Sequence, residues 1–89
     1  MAKYEITLVF DKDNKKIIDG FRKYFEELKV KVVKEEDWGV KPLAYPIKKR
    51  EEAGYFYFEI EVDTKKIKKL EDKIKLEEGL LRYLVVRVK

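Results

Sequence analysis

Apolar residues recur at every second position in some segments of this chain and at every third or fourth in others, and the order of those segments leaves few ways to fold it. Tyr4, Ile6, Leu8 and Phe10 alternate with Glu5, Thr7 and Val9. That period of two turns one apolar face of a first strand toward a core, with Val9 weakening the polar side. Asp11, Asp13 and Asn14 follow, and their short oxygens suit a turn or the capping of the unpaired amides that open a helix. Ile17, Ile18, Phe21, Phe25 and Leu28 then step by three and four, a single stripe on a first helix whose other faces carry charge. Gly20 lies inside that helix and costs about 1 kcal/mol relative to Ala.

Val30, Val32 and Val33 begin a second strand, interrupted at Trp38-Gly39 by an expected bulge or bend and resuming at Val40. Pro42 and Pro46 lack ladder donors, so this strand belongs at the sheet margin. Residues 49 to 54 read as a hairpin connection, and Tyr55 to Val62, dense in aromatic and β-branched residues, reads as a central strand. Strict alternation sends Phe56, Phe58, Ile60 and Val62 inward and Tyr55, Tyr57, Glu59 and Glu61 outward, unless a bulge near Phe58 swaps the first half. Asp63 or Thr64 can cap a second helix with Ile67, Leu70 and Ile74 on one face. Gly79 ends the return turn, and Leu81 to Val88 forms a last strand. Its apolar residues fall at both parities, implying that each face is at least partly covered there. The order βαββαβ is the α+β, ferredoxin-like arrangement: a four-stranded antiparallel sheet with two helices on one face.

The whole chain, residues 1 to 89, suffices for one domain, burying roughly 60 to 65% of its unfolded surface. No His and no Cys occur, which removes disulfides, thiol nucleophiles, soft metal sites and the imidazole of most acid-base catalysis. Ser and Gln are also missing, and 45% of residues are charged, a balance expected of a thermophile's ion-paired surface or of an engineered scaffold. No stretch approaches the roughly 20 apolar residues of a membrane span, and Met1 to Glu5 runs straight into a strand, so a cytoplasmic protein is expected. The net charge of +4 is modest, and contact with nucleic acid would depend on local clustering.

Two acid-free clusters exist. Lys41, Lys48, Lys49 and Arg50 form one, and Arg82, Arg87 and Lys89 form the other. Tyr45 and Trp38 lie near the first, where an aromatic can stack on an unpaired base for about 1 to 3 kcal/mol. From spacing alone such charges also read as solvated surface, and such aromatics as core. Gly54-Tyr55-Phe56-Tyr57-Phe58 invites comparison with the aromatic platform of RNA-recognition-motif domains, which bind single-stranded RNA. Ala53 stands where that platform needs a cation, and Tyr4 is the only early aromatic of the first strand. The lysines of the second helix read as a solvated face. Glu35-Glu36-Asp37 and Glu77-Glu78 lack the spaced ligands of a calcium loop, so no metal or other cofactor is expected. An acylphosphatase-like enzyme on this fold would need an anion-cradling loop after the first strand, where Asp11 and Asp13 repel phosphate instead. Catalysis is not expected.

Five strings occur together and in order: Tyr4-Glu5-Ile6, Asp37-Trp38-Gly39, Leu43-Ala44-Tyr45-Pro46-Ile47, Gly54-Tyr55-Phe56 and Arg82-Tyr83-Leu84-Val85-Val86-Arg87. In these the chain resembles the bacterial small-subunit ribosomal protein six family over nearly its whole length. The resemblance implies a non-catalytic subunit that binds small-subunit ribosomal RNA as a heterodimer with ribosomal protein eighteen, without a small-molecule substrate or a membrane. It implies RNA contacts from Lys3, Lys41, Arg82 and Arg87 at the family's basic positions and from Tyr4 and Tyr45 at its aromatic ones, beside the clustered Lys48, Lys49 and Arg50. Ala2 and Pro42 depart from positions where further cations are common, and no polar extension follows Lys89.

Overall fold

The computed structural model describes residues 2–47 and 49–88. They form β1 (Ala2–Phe10), α1 (Lys16–Glu27), β2 (Lys31–Ile47), β3 (Arg50–Val62), α2 (Thr64–Leu76) and β4 (Leu80–Val88). The sheet is antiparallel in the order β2-β3-β1-β4, which puts the aromatic-rich β3 inside and the proline-bearing β2 at an edge, as its composition requires.

One face of the sheet is sealed by the helices. Tyr4, Ile6, Leu8 and Phe10 of β1 meet Phe56, Phe58, Ile60 and Val62 of β3, and Ile17, Ile18, Phe21, Phe25, Leu70 and Ile74 of the helices close over them. Phe25 meets Phe58 edge-on at 5.0 Å. Full burial of an aliphatic or aromatic side chain contributes about 1.5 to 3 kcal/mol, so this one layer holds the fold. β3 keeps unbroken register with β1, so no bulge near Phe58 swaps its faces, and β2 breaks register between Asp37 and Gly39, at the bulge or bend expected of Trp38-Gly39. Gly39 has φ +74°, a left-handed conformation that glycine adopts without a Cβ clash.

Three local expectations need correction. The α1 N-cap is Lys15 with no side-chain cap; the Asp11 carboxylate instead accepts from the Asp13 amide at 3.1 Å, serving the turn. Arg50 to Gly54 belong to β3 and are not a connection; Ile47 pairs with Arg50, and Lys49 has φ +65°. Lastly, β4 is an edge strand, and on the helix-free face Leu84 and Val86 remain 59% and 44% exposed. Apolar residues at both parities mark an uncovered strip there, not a face roofed by the same chain. The expected cap of α2 is present, with Asp63 accepting from the Lys65 amide at 3.0 Å. At the end of α1, Lys29 at φ +57° lets the Lys29 and Val30 amides reach the Glu26 and Phe25 carbonyls, the paired bonds of a Schellman motif built without glycine.

Candidate nucleic-acid interface

Cross-strand register assigns each candidate to a face. Arg82 stands opposite Val9 on the helix-free face, while Arg87 stands opposite Tyr4 on the helix side of the same edge. Both side chains are exposed, and neither forms an ion pair among the described residues. Lys41 lies at the other margin, on β2. Two strands separate β2 from β4, roughly 14 Å across the sheet, so the two cationic clusters do not merge into one patch.

The bulge between Asp37 and Gly39 swings Trp38 onto the helix-free face. There it stacks flat on Tyr57, with centroids 5.2 Å apart and planes 7° from parallel. Lys41 Nζ sits 5.1 Å from the Trp38 ring and 5.7 Å from that of Tyr55. A cation over two rings gains the cation-π attraction, about 0.5 to 1 kcal/mol at an exposed site, and remains free to meet a phosphate. Burial under Trp38 raises the Tyr57 hydroxyl pKa above its ordinary value, and the carboxylates of Glu5, Glu59 and Glu36 push it further the same way.

Not every candidate cation is free. Both Arg50 Nη2 and Nε reach Asp11 Oδ2, at 2.6 and 2.9 Å, tying the start of β3 to the loop after β1. The Asp13 amide and then Arg50 hold the Asp11 carboxyl below its usual range. Lys3 pairs with Glu59 at 3.4 Å on the helix-free face. Lys49 is exposed in the hairpin turn, and Lys48 lies outside the described residues. Tyr45 projects from the β2 arm at 78% exposure, whereas Tyr4 is only 7% exposed in the core beneath the helices. Its place in the inward register of β1 makes Tyr4 part of the core packing in the free protein.

Sequence reading missed three arrangements that shape this surface. The Trp38–Tyr57 stack depends on the exact place of a bulge. The Arg50–Asp11 pair joins residues 39 apart. A bridge from Arg22 to Asp19 and Glu35, each at 2.9 Å, spans α1 and β2, with the guanidinium 5.3 Å from the Phe56 ring. No periodicity signals such pairings. Among the described residues no group of three or more ligating side chains could hold a metal ion, and no helix is long and apolar enough to cross a membrane.

The sequence matches the family described as ribosomal protein S6 across residues 3–87. It is 37% identical to the small ribosomal subunit protein bS6 of Vesicomyosocius okutanii, over 97% of this chain and 80% of that protein. Identity to the bS6 of Pelagibacter ubique is 36%, over all of this chain and 78% of the relative. The crystal structure of 30S ribosomal protein S6 from Thermotoga maritima superposes with a TM-score of 0.87, at 24% identity, covering 98% of this chain and 87% of that one, and so shares the fold. By its sequence match along almost its full length, the chain belongs to the ribosomal protein S6 family of the small ribosomal subunit.

Proposed function

We propose that the chain works in the ribosome, in the cytoplasm, as a structural and non-catalytic subunit that binds small-subunit ribosomal RNA jointly with ribosomal protein eighteen. Family membership carries the ribosomal role, and the free surface supports the finer reading. The observation that carries it is the state of β4, where Arg82 and Arg87, unpaired among the described residues, bracket Leu84 and Val86 standing in water. Cations of this kind neutralise phosphates, and an exposed apolar strip rimmed by charge fits a protein partner. Lys41, Lys49 and the neighbouring Lys48 extend the phosphate contacts to the hairpin arm, where Tyr45 is open to stack on a base. Arg50 serves by holding that arm to Asp11, and Lys3 contributes when its pair with Glu59 opens. A platform like that of RNA-recognition motifs fits less well, because Trp38 already occupies the face of Tyr57.

Titration of the protein with ribosomal protein eighteen and a transcript of the small-subunit platform, repeated across salt, tests this. Lys41→Gln, Arg82→Gln and Arg87→Gln together should flatten log affinity against log salt by about 0.7 to 0.9 per lost contact. Leu84→Glu should weaken binding of the protein partner with little change in stability, since its side chain is already largely wetted. Binding to neither molecule, or equal affinity for unrelated RNAs in the partner's presence, refutes the proposal.

A further inference from the structure

The distribution of charge among the elements carries one step more. α2 holds six lysines, Lys65, Lys66, Lys68, Lys69, Lys73 and Lys75, against Glu71 and Asp72, while the other 16 cations and 16 anions of the chain balance. None of the six forms an ion pair among the described residues, although seven such pairs lace the rest of the surface. Flanking acids do not serve them: Asp63 accepts from the Lys65 amide and Glu77 from the Gly79 amide.

Folding accounts for Lys66, Lys73 and Lys75, which meet α1 or the C-terminal end of the helix, but not for Lys65, Lys68 and Lys69. Lys65 and Lys69, and Lys69 and Lys73, are neighbours four apart on one helix face, where like charges repel and weaken the helix. No acid occupies the first turn to offset them. Three contacts fix the neighbouring flank of α2 as a seam between the helices. Lys66 Nζ donates to the Leu28 carbonyl at 3.0 Å, the Tyr24 hydroxyl donates to the Lys69 carbonyl at 3.3 Å, and Lys73 Nζ lies 5.6 Å from the Tyr24 ring. Lys65, Lys68 and Lys69 stand exposed beside it.

We infer that the outer face of α2, led by Lys65, Lys68 and Lys69, is a second RNA surface that grips phosphates without regard to sequence, on the side of the molecule opposite the helix-free face. The inference rests on the proposed RNA-binding function and extends it to the helix layer. Positive charge that costs the free protein stability is repaid when a polyanion replaces its counterions. Contacts to phosphate carry no sequence information, so such a surface positions the subunit and does not select the RNA.

The test compares Lys65→Gln/Lys68→Gln/Lys69→Gln with a control, Lys12→Gln/Lys16→Gln/Lys31→Gln, in binding to the platform transcript with ribosomal protein eighteen present. The α2 variant should lose about 2 from the salt slope, at roughly 0.7 to 0.9 per phosphate, and the control should keep the parental slope. The α2 variant should also be no less stable than the parent at low salt, which excludes misfolding as the cause. A parental slope in the α2 variant, or an equal loss in the control, overturns the inference while leaving the function at Lys41, Arg82 and Arg87 standing. No binding by the parent protein overturns both.

Discussion

The same substitution, Gly to Ala, should stabilise this protein at residue 20 and destabilise it at residue 54. Gly20 lies within α1 on the exposed side, and a Cβ built there meets no atom within 4 Å. Alanine at that site removes the helix penalty of glycine and nothing else, so Gly20→Ala should gain about 1 kcal/mol. In a domain of this size that raises Tm by about 4 to 8 °C. Gly54 stands opposite Phe10 in the β1–β3 ladder, and its Cβ would lie 2.6 and 2.7 Å from two carbons of the Phe10 ring. Phe10 is itself buried in the core, so relief requires shifting the ring or parting the central strands. Overpacking of this kind costs about 1 to 3 kcal/mol, against an unfolded-state gain of about 0.4 to 1 for losing a glycine. The net loss for Gly54→Ala is about 1 to 2 kcal/mol. Urea denaturation followed by far-ultraviolet circular dichroism reads both, with midpoints moving in opposite directions and the urea slope unchanged. Midpoints that move the same way would refute the packing assigned to one of the two glycines.

Two further outcomes follow from local geometry. Asp11 is held below the ordinary carboxylate range by the Asp13 amide and Arg50, and Asp37 by Lys15 and the Gly39 amide. A depressed folded pKa adds stability above the unfolded value of about 3.9, and that stability is lost as pH falls through the folded value. The urea midpoint of Asp11→Asn/Asp37→Asn should therefore fall less between about pH 5 and pH 2 than the parent's, and parallel acid limbs would count against both pairings. Lys29→Gly should stabilise by a few tenths to 1 kcal/mol, because glycine relieves the left-handed conformation at φ +57° that closes α1, and a thermal melt checks it.

Alternation and helical stepping made the covered face of this sheet legible before any coordinates. They depend on burial, and burial repeats along the chain: every inward residue named for β1 and β3 is in the core. The prolines likewise placed β2 at the margin, since a missing donor is a local fact. What the chain concealed are the contacts that cross it. Arg50 reads as a phosphate ligand beside Lys48 and Lys49, yet two of its nitrogens bind Asp11, brought near only once the β3–β1 ladder forms. Tyr4 reads as a site aromatic by resemblance, yet its parity sends it under the helices. Leu84 and Val86 read as at least partly covered because apolar residues usually are, and only the strand order reveals that none of the described residues roofs that face of β4.

The two edges of the sheet are finished differently, and this bears on how an assembly with RNA and protein could share them. Along β2 the register with β3 breaks at Val32/Lys34, at Asp37/Gly39 and at Pro42/Ile47, and two prolines remove donors. Such an edge cannot template another strand, so what it offers is side chains: Lys41 over two aromatic rings, and Tyr45 on the projecting arm. Along β4 there is no proline, the one register shift lies at its start, opposite Val9/Phe10, and the exposed side chains between the arginines are apolar. That edge offers continuous backbone together with surface that gains by leaving water. On the proposed reading, charge-led contact with RNA is carried by β2, its hairpin and the arginines, and apolar contact with protein by the middle of β4. An exchange of those roles, with Leu84→Glu sparing the partner and Lys41→Gln abolishing its binding, would show that edge chemistry does not sort the ligands of this fold.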